Sequence, residues 1–320
     1  MKYAHKNSIL TGALWVFVLV FSACSPSPRN TEKKQAISIS GAFALYPMMT
    51  RWAEEYQKIH PEIVFDISAG GAGKGMADVL GGVVDIGMVS RVITPEEEAK
   101  GAFWVAVTKD AVFPTMNTKN PVKDRILQKG FTKQVFYDIF ISGQITTWGQ
   151  AIGDEQVQDP IHVYTRSDAA GAPETWAKYL GKKQEDLLGV GVYGDPGLVE
   201  AVVKDPLGIG FNNLGYAYDQ SSGLPVSGIW IIPIDANENS LADGDEVLDT
   251  KEKAIQAVAT NRYPSPPARE LNLVTKGKPS GILLEFIRWI LTDGQKFVGE
   301  AGYIQLTEGQ LQESLQKLQP

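Results

Sequence analysis

From Ala36 onward, short apolar runs of strand character alternate with segments of helical spacing. Such alternation folds as an α/β architecture, because each helix buries its apolar stripe against the sheet whose strands it connects. Ile37 to Ser40 and Ile63 to Ile67 read as strands, and between them Met48 to Ile59 carries Trp52, Tyr56 and Ile59 at helical spacing. Further strands are expected at Asp85 to Val89, Trp104 to Thr108, Ile161 to Tyr164, Gly208 to Asn212 and Ile229 to Ile232. Late helices are expected over Leu283 to Leu291 and Gln295 to Ala301. The Trp and Leu stripes on these helices are read as core. No internal repeat is visible, which removes solenoids and propellers. Asp235 to Thr250 reads as a solvated loop, since Asp243-Gly244-Asp245 lacks the remaining ligand spacing of a calcium loop.

With 320 residues, 43% hydrophobic and 21% charged, the chain is large enough for two domains and too apolar for disorder. Its net charge of −7, without a basic tract, argues against a nucleic-acid partner, whose phosphates require a basic surface. One cysteine permits no internal disulfide, and His5, His60 and His162 lie too far apart for a zinc-like spacing. No metal and no cofactor is therefore expected.

Lys2 and Lys6 precede an apolar run from Ile9 to Phe21, too short to span a bilayer but suited to a signal-peptide core. Phe21-Ser22-Ala23-Cys24 resembles a bacterial lipobox, which implies a signal peptide over 1–23 and a lipidated Cys24. An ordinary signal peptide with an incidental cysteine, or a short membrane anchor, is the other reading. Residues 24–35, with Pro26 and Pro28, read as a tether between lipid and folded body. Cleavage removes two of the 30 basic residues and none of the 37 acids, so the mature chain carries 28 − 37 = −9. Any anion it binds must be captured locally.

Three turns supply such local capture. Ser68 to Met76, with Gly70, Gly71, Gly73 and Gly75, follows a strand and precedes a helical pattern. Backbone N–H groups of a strand–glycine–helix turn face an approaching oxyanion, and the helix dipole favours its charge. The loop is neither a Walker A sequence nor a clean dinucleotide fingerprint. A second turn runs from Arg166 to Glu174, with Pro173 suited to a first helical turn, and a third from Ser40 to Pro47. Together with Ser90-Arg91 after another strand, these turns either converge around one anion or are each merely tight packing.

These segments, in this order, resemble the phosphate-binding proteins of bacterial ABC phosphate importers, of the type 2 periplasmic binding protein class. The resemblance rests on Ile39-Ser40-Gly41, Trp52 to Tyr56, Val84 to Arg91, Thr94-Pro95-Glu96-Glu97, Ile145 to Trp148, Gly208 to Phe211, Lys276 to Gly281 and Gly302-Tyr303-Ile304. It implies two α/β lobes joined by crossing strands and closing over an oxyanion. The crossings are expected near Val112 to Met116 and Val226 to Ile231, giving a first lobe of 36–114 and 228–320 and a second of 115–227. The ligand-binding set it implies is Ala44, Leu45, Gly71, Ala72, Gly73, Ser90, Arg91, Arg166, Asp168, Ala170, Gly171 and Ala172.

The chain departs from the family where relatives place hydroxyls. It has Ala42 and Ala44 in the first turn, Ala72 in the glycine loop, and Ala170-Gly171-Ala172 in the third turn of the set. A hydrogen bond to a charged group is worth about 1.5–3 kcal/mol, so three unreplaced losses weaken binding by about a thousandfold or more. The alanines, with Phe43 and Tyr46, also make the cleft less polar, which suits a larger or less charged ligand. Arg166 remains as a bidentate fork, with Asp168 either orienting it or accepting a proton from the anion; a purely structural Arg166–Asp168 pair is the other reading. Arg166→Ala is expected to abolish binding with the fold largely intact.

The function expected is capture of an oxyanion, inorganic phosphate in the simplest case, for delivery to an ABC permease by a lipid-anchored extracytoplasmic protein. The alternative is a surface lipoprotein of the same fold acting as a sensor or interaction module. Catalysis would enlist Ser167, Asp168 and His162, but neighbours in one segment do not by themselves make a triad.

Overall fold

A computed structural model describes residues 35–319. The expected signal segment, Cys24 and the tether, apart from Gln35, lie outside the described residues. Among the described residues nine strands form one sheet: β1 (Gln35–Gly41), β2 (Ile63–Ala69), β3 (Ile86–Val89), β4 (Ala102–Asn117), β5 (His162–Arg166), β6 (Val190–Val192), β7 (Gly208–Asn213), β8 (Ile229–Ile231) and β9 (Ala268–Lys276). Their order is β2-β1-β3-β9-β4-β7-β5-β6, with β8 paired to β4 off this path. Parallel pairs with helical crossovers occupy the two ends, and antiparallel β9 and β4 fill the middle.

The sheet serves two hydrophobic cores. One gathers Ile37, Trp52, Tyr56, Met88, Val107, Leu273 and Phe286. The other gathers Phe113, Phe136, Phe140, Trp148, Trp176 and Phe211. The helix Tyr46–Ile59 enters the first core through Met48, Met49, Trp52, Ala53 and Tyr56, and the Trp52 indole is satisfied by the Gly294 carbonyl at 2.9 Å. Buried aromatic side chains of this size each contribute about 1.5–3 kcal/mol, and their indole N–H groups need such partners.

β4 carries the chain from one core to the other. It pairs with β9 from Ala102 to Ala111, then with β7 from Val112 to Met116. The first crossing thus begins just before the expected Val112. The return differs from expectation. β8 pairs antiparallel with β4 at Thr115–Asn117, and Ile231, Ile234, Leu248, Ala254, Tyr263 and Ala268 all pack into the second core. The chain rejoins the first core within β9, where Leu271, Leu273 and Val274 belong to it. Residues 228–267 therefore pack with the second lobe, because β8 lies beside β4 instead of crossing. Among the described residues no helix is long and apolar enough to cross a membrane.

Candidate functional site

The three turns do meet. The glycine-loop helix starts at Ala72, four residues ahead of the expected Met76, and the amide of Gly73 donates to the Ala169 carbonyl at 3.1 Å. Gly71 has φ +93°, and a Cβ there would lie 2.9 Å from the Asp168 carboxylate and from the Ala169 carbonyl. Gly171 opens the helix Gly171–Tyr179 against buried Ser90, whose Oγ and carbonyl would lie 2.1 and 2.2 Å from an added Cβ. In the first turn the amides of Ala42, Leu45 and Tyr46 are bonded to backbone carbonyls, leaving those of Phe43 and Ala44 without a backbone partner among the described residues. The Ala44 carbonyl accepts from Tyr303 Oη at 2.8 Å. First-turn amides of a helix have no intrahelical acceptor, so Ala72, Gly171 and Ala172 present theirs to the junction. The side chains of Leu45, Ala72 and Ala172 are buried.

Arg166 ends β5, two residues beyond the expected strand, and its side chain is fully buried. It donates Nε to Asp168 Oδ1 at 2.7 Å, Nη2 to Asp168 Oδ2 at 2.5 Å and Nη1 to Asp195 Oδ2 at 2.6 Å. Its guanidinium lies 5.4 Å from the centre of the Phe43 ring. Burial alone would lower the Arg166 pKa, but Asp195 and Asp168 hold it above the ordinary arginine value. Of five guanidinium N–H donors, these three bonds leave two for a ligand. Asp168 is fixed in turn by the Gly194 amide at 3.1 Å.

Arg91 is engaged elsewhere: it forks onto Glu97 at 2.9 and 2.6 Å and reaches Glu174, on the helix after Gly171, at 3.3 Å. That last pair spans the two lobes. Neither arginine is a free cation: Arg91 meets Glu97 and Glu174, and Arg166 meets Asp168 and Asp195.

Sequence reasoning missed Asp195, Asn213, Asp110 and Arg269. Asp195 Oδ1 accepts from Asn213 Nδ2 at 2.5 Å; Asn213 Oδ1 accepts from Arg269, which also approaches Asp110 at 3.3 Å. The chain of bonds runs from Arg166 to the crossing strands β4 and β9. The four residues missed come from four distant segments, and none carries a local motif.

Burial pushes the Asp110 carboxyl up to about 6 despite Arg269 and the amides of Ala111 and Leu214. A folded value above the ordinary 3.8 means that the folded state binds this proton more tightly. Its contribution to stability is complete below the unfolded value and is lost as pH rises through the folded one. Urea unfolding between pH 3.8 and 6 is expected to show this falling component, and Asp110→Asn to lack it.

A family model described as a PBP superfamily domain matches residues 26–294. The chain belongs to the PBP superfamily. Within it, the phosphate-binding protein PstS of Methanocaldococcus jannaschii is 27% identical over 94% of this chain and 91% of that protein. The phosphate-binding protein PstS of Bacillus subtilis is 26% identical over 95% of both. A solved structure, a putative phosphate ABC transporter substrate-binding protein with bound phosphate from Clostridium perfringens, superposes with TM-score 0.68 at 24% identity, covering 85% of this chain and all of that one. The two-lobed PBP architecture and the family resemblance are thereby borne out.

Proposed function

We propose that this PBP-superfamily protein captures inorganic phosphate in the cleft between its lobes and delivers it to an ABC permease, from a lipid-anchored position outside the cytoplasm. The observation that carries the reading is the meeting of three strand-to-helix turns beside the two remaining donors of Arg166, in a chain similar to phosphate-binding proteins over nearly its whole length. The amides of Phe43, Ala44, Ala72, Gly171 and Ala172, the Ser90 hydroxyl and Arg166 bind the anion. Gly71, Gly73, Ala170 and Leu45 shape the turns, and Arg91 holds the lobes together through Glu174. Asp168, besides orienting Arg166, accepts a proton from a hydrogen-bearing phosphate. Binding, not catalysis, fits the side chains of the enzyme reading: His162 Nδ1 contacts Asp205 at 2.6 Å and not Asp168. The interaction-module reading is favoured by one observation, that each arginine is already matched by two carboxylates.

The missing hydroxyls give a direct test. Ala72→Ser and Ala172→Ser each add one donor beside the junction, at sites where alanine is 0% and 1% exposed, so serine is the largest tolerable step. The double variant is expected to bind phosphate about tenfold or more tighter. Calorimetry showing unchanged binding in a folded double variant points to a cleft built for another ligand.

A further inference from the structure

Beside the phosphate cleft, beyond the Arg91–Glu174 pair, lies a cavity of about 470 Å³ between the lobes and along β4 and β9. Phe43, Ser90 and Arg166 take no part in its wall. Ile93, Trp104, Val258 and Pro266 supply an apolar surface. Arg91, Lys109, Lys178 and Arg269 face Glu174 and Glu270, a formal balance of 4 − 2 = +2 in a chain of net −7. Arg91 is forked on Glu97, and Glu270 accepts from Gln310 at 2.5 Å. Lys109 and Lys178 make no ion pair among the described residues. In the β9 wall, the Arg269 side chain is 8% exposed, with its buried Nε and Nη1 lacking any hydrogen-bond partner among the described residues, and buried Asn272 Oδ1 is in the same condition.

Unpartnered cations beside an apolar wall suit a ligand with a single anionic group on an apolar body. The charge attracts the one and the indole and proline bury the other. We propose that this cavity is a second binding site, separate from the phosphate cleft, for a small organic anion, a carboxylate or phosphomonoester, drawn in by Lys109 and Lys178 and packed on Trp104 and Pro266. Arg269 is part of the β9 wall itself, so its two unpartnered guanidinium nitrogens add positive charge at the cavity surface.

Calorimetry with phenyl phosphate and with benzoate, each in the presence and absence of saturating inorganic phosphate, tests the site. At least one probe is expected to bind saturably and to keep its affinity when phosphate is present. The two probes distinguish a phosphomonoester site from a carboxylate site. Lys109→Glu with Lys178→Glu is expected to weaken that probe by at least about tenfold while leaving the phosphate titration unchanged. Lys178→Glu alone, on an exposed helical position, is expected to give a smaller loss of the same kind and serves if the double variant does not fold. The proposal is overturned if neither probe binds at millimolar concentration, if phosphate displaces both, or if charge reversal in folded protein changes nothing. A failure of phosphate itself to bind leaves this outcome readable, since the probes are also titrated without it.

Discussion

Arg166→Ala is expected to abolish phosphate binding and, at the same time, to destabilise the protein by about 3–5 kcal/mol, the cost of breaking a buried ion pair from one side. The sequence suggested a ligand arginine, removable with the fold largely intact. The structure instead places a fully buried guanidinium between Asp168 and Asp195. Its removal leaves two carboxylates facing each other without their counter-charge, and frees Asn213 and the crossing strands bonded behind them. Arg166→Lys is expected to recover little, because one ammonium cannot meet Asp168 in two places and Asp195 as well. Urea unfolding with parallel phosphate calorimetry checks both effects. Unchanged stability would show the two carboxylates to be held apart by other partners, and unchanged binding would transfer recognition to the loop amides.

Gly171→Ala is expected to separate binding from folding. The added methyl would sit 2.1 Å from Ser90 Oγ and 2.2 Å from the Ser90 carbonyl, one of which is backbone and cannot rotate away. Gly171 begins a helix of the second lobe and Ser90 follows β3 of the first, so the clash lies across the two lobes, and lobes standing apart would escape it. Overpacking of this kind costs about 1–3 kcal/mol, which falls on the closed, ligand-bound state and weakens phosphate by about ten- to a hundredfold. The melting temperature without ligand should move little. A variant that binds as tightly as the parent would mean that closure does not bring these residues together.

Local chemistry made much of this legible. Apolar runs bounded by Gly and Pro located β1, β2, β3, β5 and β7 to within a residue or two, and the helical spacing of Trp52 and Tyr56 found the first helix. The glycine loop and the Arg166 turn were visible because tight strand-to-helix turns demand small residues. What stayed hidden depends on pairing between distant segments. Ile229–Ile231 looks the same in sequence whether it crosses between lobes or lies beside β4, and only the register with Thr115–Asn117 decides. β4 was seen as Trp104 to Thr108 alone, since a strand of 16 residues serving both cores has no single period. Asp195 and Asn213 carry no motif; Asp195 acts by reaching a guanidinium 29 residues earlier in the chain, and Asn213 by donating to Asp195. The alanines at 72, 170 and 172 read as lost hydroxyls and the Arg166–Asp168 pair was a legible alternative, yet nothing local showed that Asp195 meets the same guanidinium.

Phosphate titration of the intact protein by calorimetry, with sulfate as the comparison, tests the central claim most directly. Saturable binding of one phosphate per chain is expected, with little response to sulfate because Asp168 accepts only from a protonated oxyanion, and loss of the signal in Arg166→Ala. Absence of any heat or thermal shift with phosphate at millimolar concentration, in protein that is otherwise folded, would contradict it and leave the meeting of the three turns as a structural junction.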